Sequence, residues 1–268
     1  MIYNIHNIVT YYDHRQMAHR NCIDYTRFCH YLRHCNNFVD IDSVFEQGCG
    51  NVLTIDDATM GAFDAAMLCD RFRKYATLFI NPYYIENGKT YYMHYLSLMI
   101  DYVQNKQILY QGEKFDLANK KKKKEFRKKI KLDLCAINDE EERIAYIEET
   151  FKKSTSELIV PYHLRTMSIK HLRNIADSKY VRIEYHGWTH AALQSMNEEL
   201  LLSEIEKSRS WLNDTLCKDF NYFCIPFGWN DHKLPNLSSL FKGILLEDKN
   251  LPGNYCNGNI VNRVPLLI

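Results

Sequence analysis

An α/β fold with a parallel sheet is predicted by three features of the chain. Short runs rich in β-branched and aromatic residues recur along it, helical patterns fall between them, and unusual polar residues stand where several runs end. The 268 residues suffice for one large domain with a buried core, or for two small ones. Apolar residues at 46% and charged residues at 25% are ordinary for a globular protein and exclude a disordered chain.

The first strand is expected over residues 5–12. Residues 24–37 follow as a helix, because Phe28, Leu32 and Cys35 recur on one face. Residues 52–55 form a second strand, ended by Asp56 and Asp57; residues 65–73 read as a helix and 76–81 as a third strand. The stretch 91–154 breaks this rhythm. Its pattern is helical (Met99, Ile100 and Val103, later Ile144, Ile147 and Phe151), and it holds Lys120 to Lys124, then Arg127, Lys128 and Lys129. It is expected to be a helical insertion rather than a domain of its own. Alternation resumes with a helix over 168–176 and a strand over 181–185. Ser195-Met-Asn-Glu198 has the capping-box pattern, ahead of a helix with Leu201, Ile205 and Leu212 at helical spacing. Residues 220–225 are the next strand, ended by Pro226-Phe227-Gly228. No repeat or linker divides the chain, so residues 1–268 are expected to form a single domain.

A net charge of +1 supplies no global field for nucleic acid or a membrane surface, and no nucleic-acid partner is expected. The nine cysteines are scattered and lack a CxxC pair, which suits a reducing compartment. Polar groups in Met1-Ile-Tyr-Asn-Ile-His6 occupy the place of a leader's apolar core, and no apolar run approaches a transmembrane segment. A soluble, cytoplasmic protein is expected.

Chemistry concentrates where runs end. Two imidazoles, His186 and His190, with a carboxylate from Asp56-Asp57 make an open three-ligand metal site if the strand ends converge, as they do at the carboxyl face of βα barrels. Taken singly, each group has a plainer reading: histidines at a helix start, an acidic cap or turn, a turn at Phe227-Gly228. His30 and His34, beside Cys29 and Cys35, have zinc-like spacing, but Cys35 fits the core stripe and no further ligand is apparent. The lysine run reads first as a solvated helix face. Most of the 19 tyrosines read as packing residues with a wet hydroxyl.

With these motifs the chain resembles the polysaccharide deacetylase family, also called the NodB-homology or carbohydrate esterase family 4 group. Thr54-Ile-Asp-Asp-Ala58 resembles its first motif, usually Thr/Ser-Phe-Asp-Asp-Gly, and His186-Gly-Trp-Thr-His190 its second, commonly His-(Ser/Thr)-x-x-His. Phe223-Cys-Ile-Pro-Phe-Gly228 resembles the third, in a variant without the usual arginine. Residues 74–82 and 168–211 look like the connecting elements, so the resemblance covers 3–82 and 161–268 and the insertion only loosely. Two motifs in order, in matching strand context, are far more specific than either alone.

The resemblance implies a distorted (β/α) barrel of about seven strands. It also implies hydrolytic removal of an N-acyl group, commonly acetyl, from an amino sugar. Asp57, His186 and His190 would hold a divalent metal. Zinc is the default for this ligand set, with nickel, cobalt, iron or manganese also admitted. Asp56 would be the general base and the Phe227 N–H the oxyanion donor, while the metal polarises the amide carbonyl and activates water. Asp56 and Asp57, adjacent on an extended chain, are expected to point in opposite directions. Three departures stand out. Ala58 replaces a glycine, which matters if that position needs positive φ. Cys224 stands where many members have an arginine paired with the base, and Arg263 in Asn262-Arg-Val-Pro265 resembles the substitute of a branch lacking it. No Leu-x-His motif follows, leaving His163 and His232 as candidate general acids. The expected substrate is an N-acylated sugar, nucleotide- or lipid-linked, in cytoplasmic assembly of a surface glycan. The lysine run would then attract its phosphates, and some tyrosines would stack on sugar rings. Two alternatives remain: hydrolysis of small non-sugar amides or N-formyl groups, and a silent glycan-binding or scaffold barrel.

Overall fold

The computed structural model describes residues 1–9, 22–35, 38–103, 106–229 and 234–268. Its centre is a parallel sheet in which Ile2–Ile5, Val52–Asp56, Ala76–Ile80, Val181–Tyr185, Tyr222–Cys224, Gly243–Leu246 and Ile260–Asn262 pair in sequence order. Among the described residues of this sheet, Cys256–Asn257, at one edge, runs antiparallel. Past Arg263 the same stretch of chain, Val264–Pro265, pairs with Ile2–Ile5. The two ends of the sheet thus meet at a seam through Arg263, whose N–H donates to Leu246 O at 2.9 Å. This is the expected α/β class, a sheet curled into the distorted barrel arrangement.

Period-two alternation sorts each strand into an inner and an outer face. Leu53, Ile55, Leu78, Ile80, Ile183 and Tyr185 join the large core under the surrounding helices. Those helices are α1 (Tyr25–His34), α3 (Met60–Arg71), α8 (Ile169–Ala176) and α9 (Glu198–Leu216), with α2 (Ile41–Gln47) and α4 (Pro82–Asn87) between them in sequence. Val52, Phe79, Tyr222, Cys224, Leu245 and Val261 form the inner cluster, together with Ile41 of α2. Asp56 continues the inner row of Val52 and Thr54. The Val181–Tyr185 strand also carries paired polar residues. Arg182 donates to both Asp42 oxygens at 2.9 and 2.7 Å, and Glu184 accepts from the backbone N–H groups of Asn221 and Tyr222 at 2.7 and 2.8 Å.

The insertion holds α5 (Tyr92–Tyr102), α6 (Lys120–Ala136) and α7 (Glu140–Phe151). It is not wholly helical: Gln107–Tyr110 and Glu113–Asp116 pair antiparallel as a hairpin. Tyr92, Leu96, Met99, Phe115, Phe126, Ile130, Leu134 and Ile147 give it a core of its own.

Several expected elements differ in place. The sheet strand expected over 5–12 is Ile2–Ile5; Asn7–Val9 is a separate short strand paired with Cys22–Asp24, and residues 10–12 lie outside the described residues. Asn4, a buried polar residue that donates its amide to Glu247, masked the real strand. Helix α1 stops at His34, and residues 36–37 are outside the described residues. Helix α3 starts five residues earlier than expected, at Met60, capped by Thr59 Oγ1, which accepts from Ala62 N. Gly61 lies in its first turn, where an added Cβ would be 2.7 Å from Asn7 Oδ1 and 3.0 Å from Ile8 O. The capping box at 195–198 does not form. Asn197 caps α9 and accepts from Leu200 N at 2.8 Å, while Ser195 Oγ donates to Ala192 O in a preceding turn. Helix α2 and the strands Gly243–Leu246 and Ile260–Asn262 were not anticipated.

Candidate active site

At the carboxyl ends of the strands, Asp57, His186 and His190 bring one ligand atom each to within 4.8 Å of one another. Both imidazoles point Nε2 at Asp57 Oδ1, His186 from 3.8 Å and His190 from 3.7 Å. All three are buried, and Asp57 Oδ1 has no hydrogen-bond partner. A carboxylate oxygen in that state, facing two imidazole lone pairs, fits a divalent cation.

Local backbone geometry makes the convergence. Asp56 is the last strand residue, and Asp57 turns the chain with φ +66°. The two carboxylates therefore diverge because the strand ends in a left-handed turn, not through the pleat alternation expected. That turn also explains Ala58: the positive φ falls on Asp57, and Ala58 needs no glycine. His190 (φ +55°) and Phe227 (φ +63°) share the left-handed region, so three site residues carry backbone strain of the kind that gathers at functional sites. Gly187 (φ +82°) brings the histidine loop against Pro226, whose Cγ would lie 3.1 Å from an added Cβ. Asn81, ending the neighbouring strand, donates to the carbonyls of His186 and Gly187.

Each histidine has a partner on its other nitrogen. His186 Nδ1 lies 2.7 Å from Cys224 O, which can only accept, so the ring carries its hydrogen there and leaves Nε2 bare. His190 Nδ1 lies 2.8 Å from the Tyr91 hydroxyl. Burial holds both imidazoles below the usual histidine range, although Asp56 and Asp57 pull His186 back upward. Burial pushes the Asp57 carboxyl up, against the pull of His6 and His186. Neutral imidazoles are the form a metal takes.

Arg263 meets Asp56, the carboxylate it was expected to pair with. Its guanidinium grips Asp56 bidentately, Nη1 to Oδ1 at 2.8 Å and Nη2 to Oδ2 at 2.6 Å, and Nη1 also donates to Thr54 Oγ1 at 2.8 Å. Burial works against ionisation of Asp56, but Arg263 and His186 outweigh it and hold the carboxyl well below the usual range. Cys224 Sγ sits 3.8 Å from both Asp56 oxygens.

Neither proposed general acid meets this cluster. His163 is buried in the turn Tyr162–Leu164 and joins none of the ligating groups among the described residues; His232 lies outside the described residues. His6 does meet it, with a ring nitrogen within 4.8 Å of carboxylate oxygens on Asp56 and Glu247. It directly follows the Ile2–Ile5 strand, as His186 follows its own strand, and misplacing that strand hid the signal. His30 and His34 stack at 4.5 Å but form no metal-ligating group among the described residues.

The lysine run is a helix face, as expected, but much of it is engaged. Lys122 and Lys129 pair with Glu113, Lys123 with Asp101, and Arg127 with Ser97. Two residues past the run, Lys131 reaches the site: its Nζ lies 4.3 Å from the Phe227 ring centroid and 5.0 Å from that of Trp229. The Phe227 ring in turn packs edge-on to His190 at 4.8 Å.

Residues 144–241 match the polysaccharide deacetylase family model. Solved structures agree across nearly the whole length. Deacetylase PplD of Streptococcus pyogenes, in complex with acetate, is 13% identical with a TM-score of 0.62, covering 99% of this chain and 91% of its own. This chain resembles the polysaccharide deacetylases in sequence and in fold. IcaB from Ammonifex degensii is 13% identical with a TM-score of 0.57, over 99% of this chain and 91% of its own. The de-N-acetylase from Aggregatibacter actinomycetemcomitans is 10% identical with a TM-score of 0.57, over 98% and 93%. No curated protein matches the chain in sequence.

Proposed function

We propose that the protein is a metal-dependent hydrolase that removes an N-acyl group, acetyl in the first instance, from an amino sugar. The observation that carries this reading is the convergence of Asp57, His186 and His190 on one buried point, with Asp56 ionised beside it. Those three residues would hold the ion, which when bound supplies Lewis acidity to the amide carbonyl and to the attacking water. Zinc is the first choice for two imidazoles and one carboxylate. Asp56, kept ionised by Arg263, accepts the proton of the attacking water. The Phe227 N–H, in the Pro226–Gly228 turn where Phe227 takes a left-handed φ of +63°, donates to the tetrahedral oxyanion. As the C–N bond breaks, His6 delivers a proton to the leaving amine, with Glu247 beside its ring.

Lys131 supports a substrate that carries a negative group, as nucleotide- and lipid-linked sugars do. Its ammonium lies over Phe227 and Trp229 at the mouth of the site, where a phosphate one sugar away from the reacting amide would meet it. The cysteines are free thiols, three of them buried, which suits a reducing, cytoplasmic setting for such an intermediate. Arg263 in place of the missing arginine removes the main argument for a silent barrel.

The test is incubation of zinc-loaded protein with N-acetylated nucleotide sugars, sugar phosphates and neutral N-acetyl sugars, with mass-spectrometric detection of the amine. Turnover of the anionic substrates is expected. Lys131→Ala should then raise KM about tenfold with little change in kcat, the loss of roughly 1.4 kcal/mol from one charged contact. Neutral sugars turned over as well as anionic ones, with KM for the anionic substrates unchanged in Lys131→Ala, contradict the anionic substrate; no amine from any substrate contradicts the activity.

A further inference from the structure

We propose that Tyr91, at the threshold of the insertion, is a positioning residue of the metal centre whose hydroxyl sets the His190 ring with Nε2 presented to the ion. The inference rests on the metal-dependent reading above. The two histidine ligands are oriented by unlike partners. His186 leans on a backbone carbonyl of the barrel, an acceptor only, which fixes one tautomer. His190 leans on a side chain, and a phenol both donates and accepts.

A neutral imidazole has one ring hydrogen. When His190 ligates through Nε2, that hydrogen sits on Nδ1 and is donated to the Tyr91 oxygen at 2.8 Å. Were the phenol to donate instead, the ring hydrogen would move to Nε2, 3.7 Å from Asp57 Oδ1, and block the ligand position. Ligation therefore requires Tyr91 as acceptor, with its own hydrogen turned elsewhere. Tyr92, whose ring centroid is 4.9 Å away, offers a buried hydroxyl that has no hydrogen-bond partner.

The surroundings hold this pair in place. The Tyr91 ring tilts against His190 at 4.7 Å and meets Tyr84 at 5.5 Å. Thr189 O, in the same loop, accepts from the Tyr84 hydroxyl at 3.1 Å and from the fully buried Arg143 of α7 at 3.2 Å. The segment with the weakest family signal thus supplies the outer partner of a metal ligand.

Tyr91→Phe keeps the ring contact and removes only the hydroxyl. Zinc affinity is read by competition with a chromophoric chelator, beside wild type and Tyr95→Phe, a change in the helix that Tyr91 precedes and outside the centre. Tyr91→Phe should weaken zinc binding about 10- to 100-fold and alter the absorption bands of the cobalt-loaded protein, with Tyr95→Phe matching wild type. Wild-type affinity and spectrum in Tyr91→Phe overturn the inference while leaving the metal reading intact. Failure of wild type to bind zinc overturns both. Should Tyr91→Phe not fold, ¹⁵N spectra of zinc-loaded wild type decide: His190 must carry its hydrogen on Nδ1 and exchange it slowly, and rapid exchange or an Nε2 hydrogen overturns the role.

Discussion

The strand ends and the insertion meet at His190, yet each is held there by different forces. At the strand ends, position follows from parallel register: Asp56 lies opposite Phe79, and Tyr185, the residue before His186, lies opposite Phe223. Backbone hydrogen bonds set these places, so the side chains are free to be chemically demanding. Among the described residues of the insertion the ladder is one short hairpin, and position follows from packed rings. Phe126 meets Tyr110 at 5.3 Å, Phe115 at 5.5 Å and Phe151 at 5.9 Å. The lesson is that the barrel fixes which atoms meet the ion, while aromatic packing from outside fixes how one of them is turned.

That contrast can be broken most severely at the seam. Arg263→Ala leaves Asp56 buried, at 1% exposure, without its cation, and should cost about 3–5 kcal/mol in urea unfolding. A loss within experimental error would mean that the Arg263–Asp56 pair does not hold the ends of the sheet. Phe126→Ala opens the insertion core instead and should cost about 3 kcal/mol or slightly more. If the two regions are separable, hydrogen exchange in Phe126→Ala should rise in α5 to α7 and stay slow in the central strands; uniform acceleration would make them one cooperative unit.

A smaller effect is expected at Glu184, two residues before His186. Burial raises the Glu184 carboxyl from 4.5 to about 8, against the pull of the Tyr222 and Asn221 N–H groups. Its folded value lies above its unfolded value, so between those two pH values the unfolded state has released a proton that the folded state keeps. Stability should therefore fall as pH rises through that window, by up to about 1.4 kcal/mol per pH unit. Glu184→Gln should flatten this slope, and an unchanged slope places the titration elsewhere. Least of all, Lys121→Ala, on the exposed face of α6, should move stability by less than about 0.5 kcal/mol. A larger shift in thermal unfolding would show that the run does more than solvate the helix.

Legibility in the sequence follows the same division. Asp56, Asp57, His186 and His190 could be read because few residue types perform their chemistry, and because each group ends a recognisable apolar run. Arg263 was readable only through resemblance, since nothing local in Asn262-Arg-Val-Pro265 marks a residue that crosses a seam. His6 went unseen because buried Asn4 disguised its strand. Tyr91 and Lys131 had no signal at all: one tyrosine among 19 and one lysine near a long run gain meaning only when tertiary packing sets them beside His190 and Phe227. Helix α2 was missed because seven residues are too few to show a period.

The central claim is tested most directly by counting metal. After zinc reconstitution and dialysis, elemental analysis should find one ion per chain in wild type and in Asp56→Asn, and almost none in Asp57→Ala. An ion retained by Asp57→Ala, or none bound by wild type, would contradict the account.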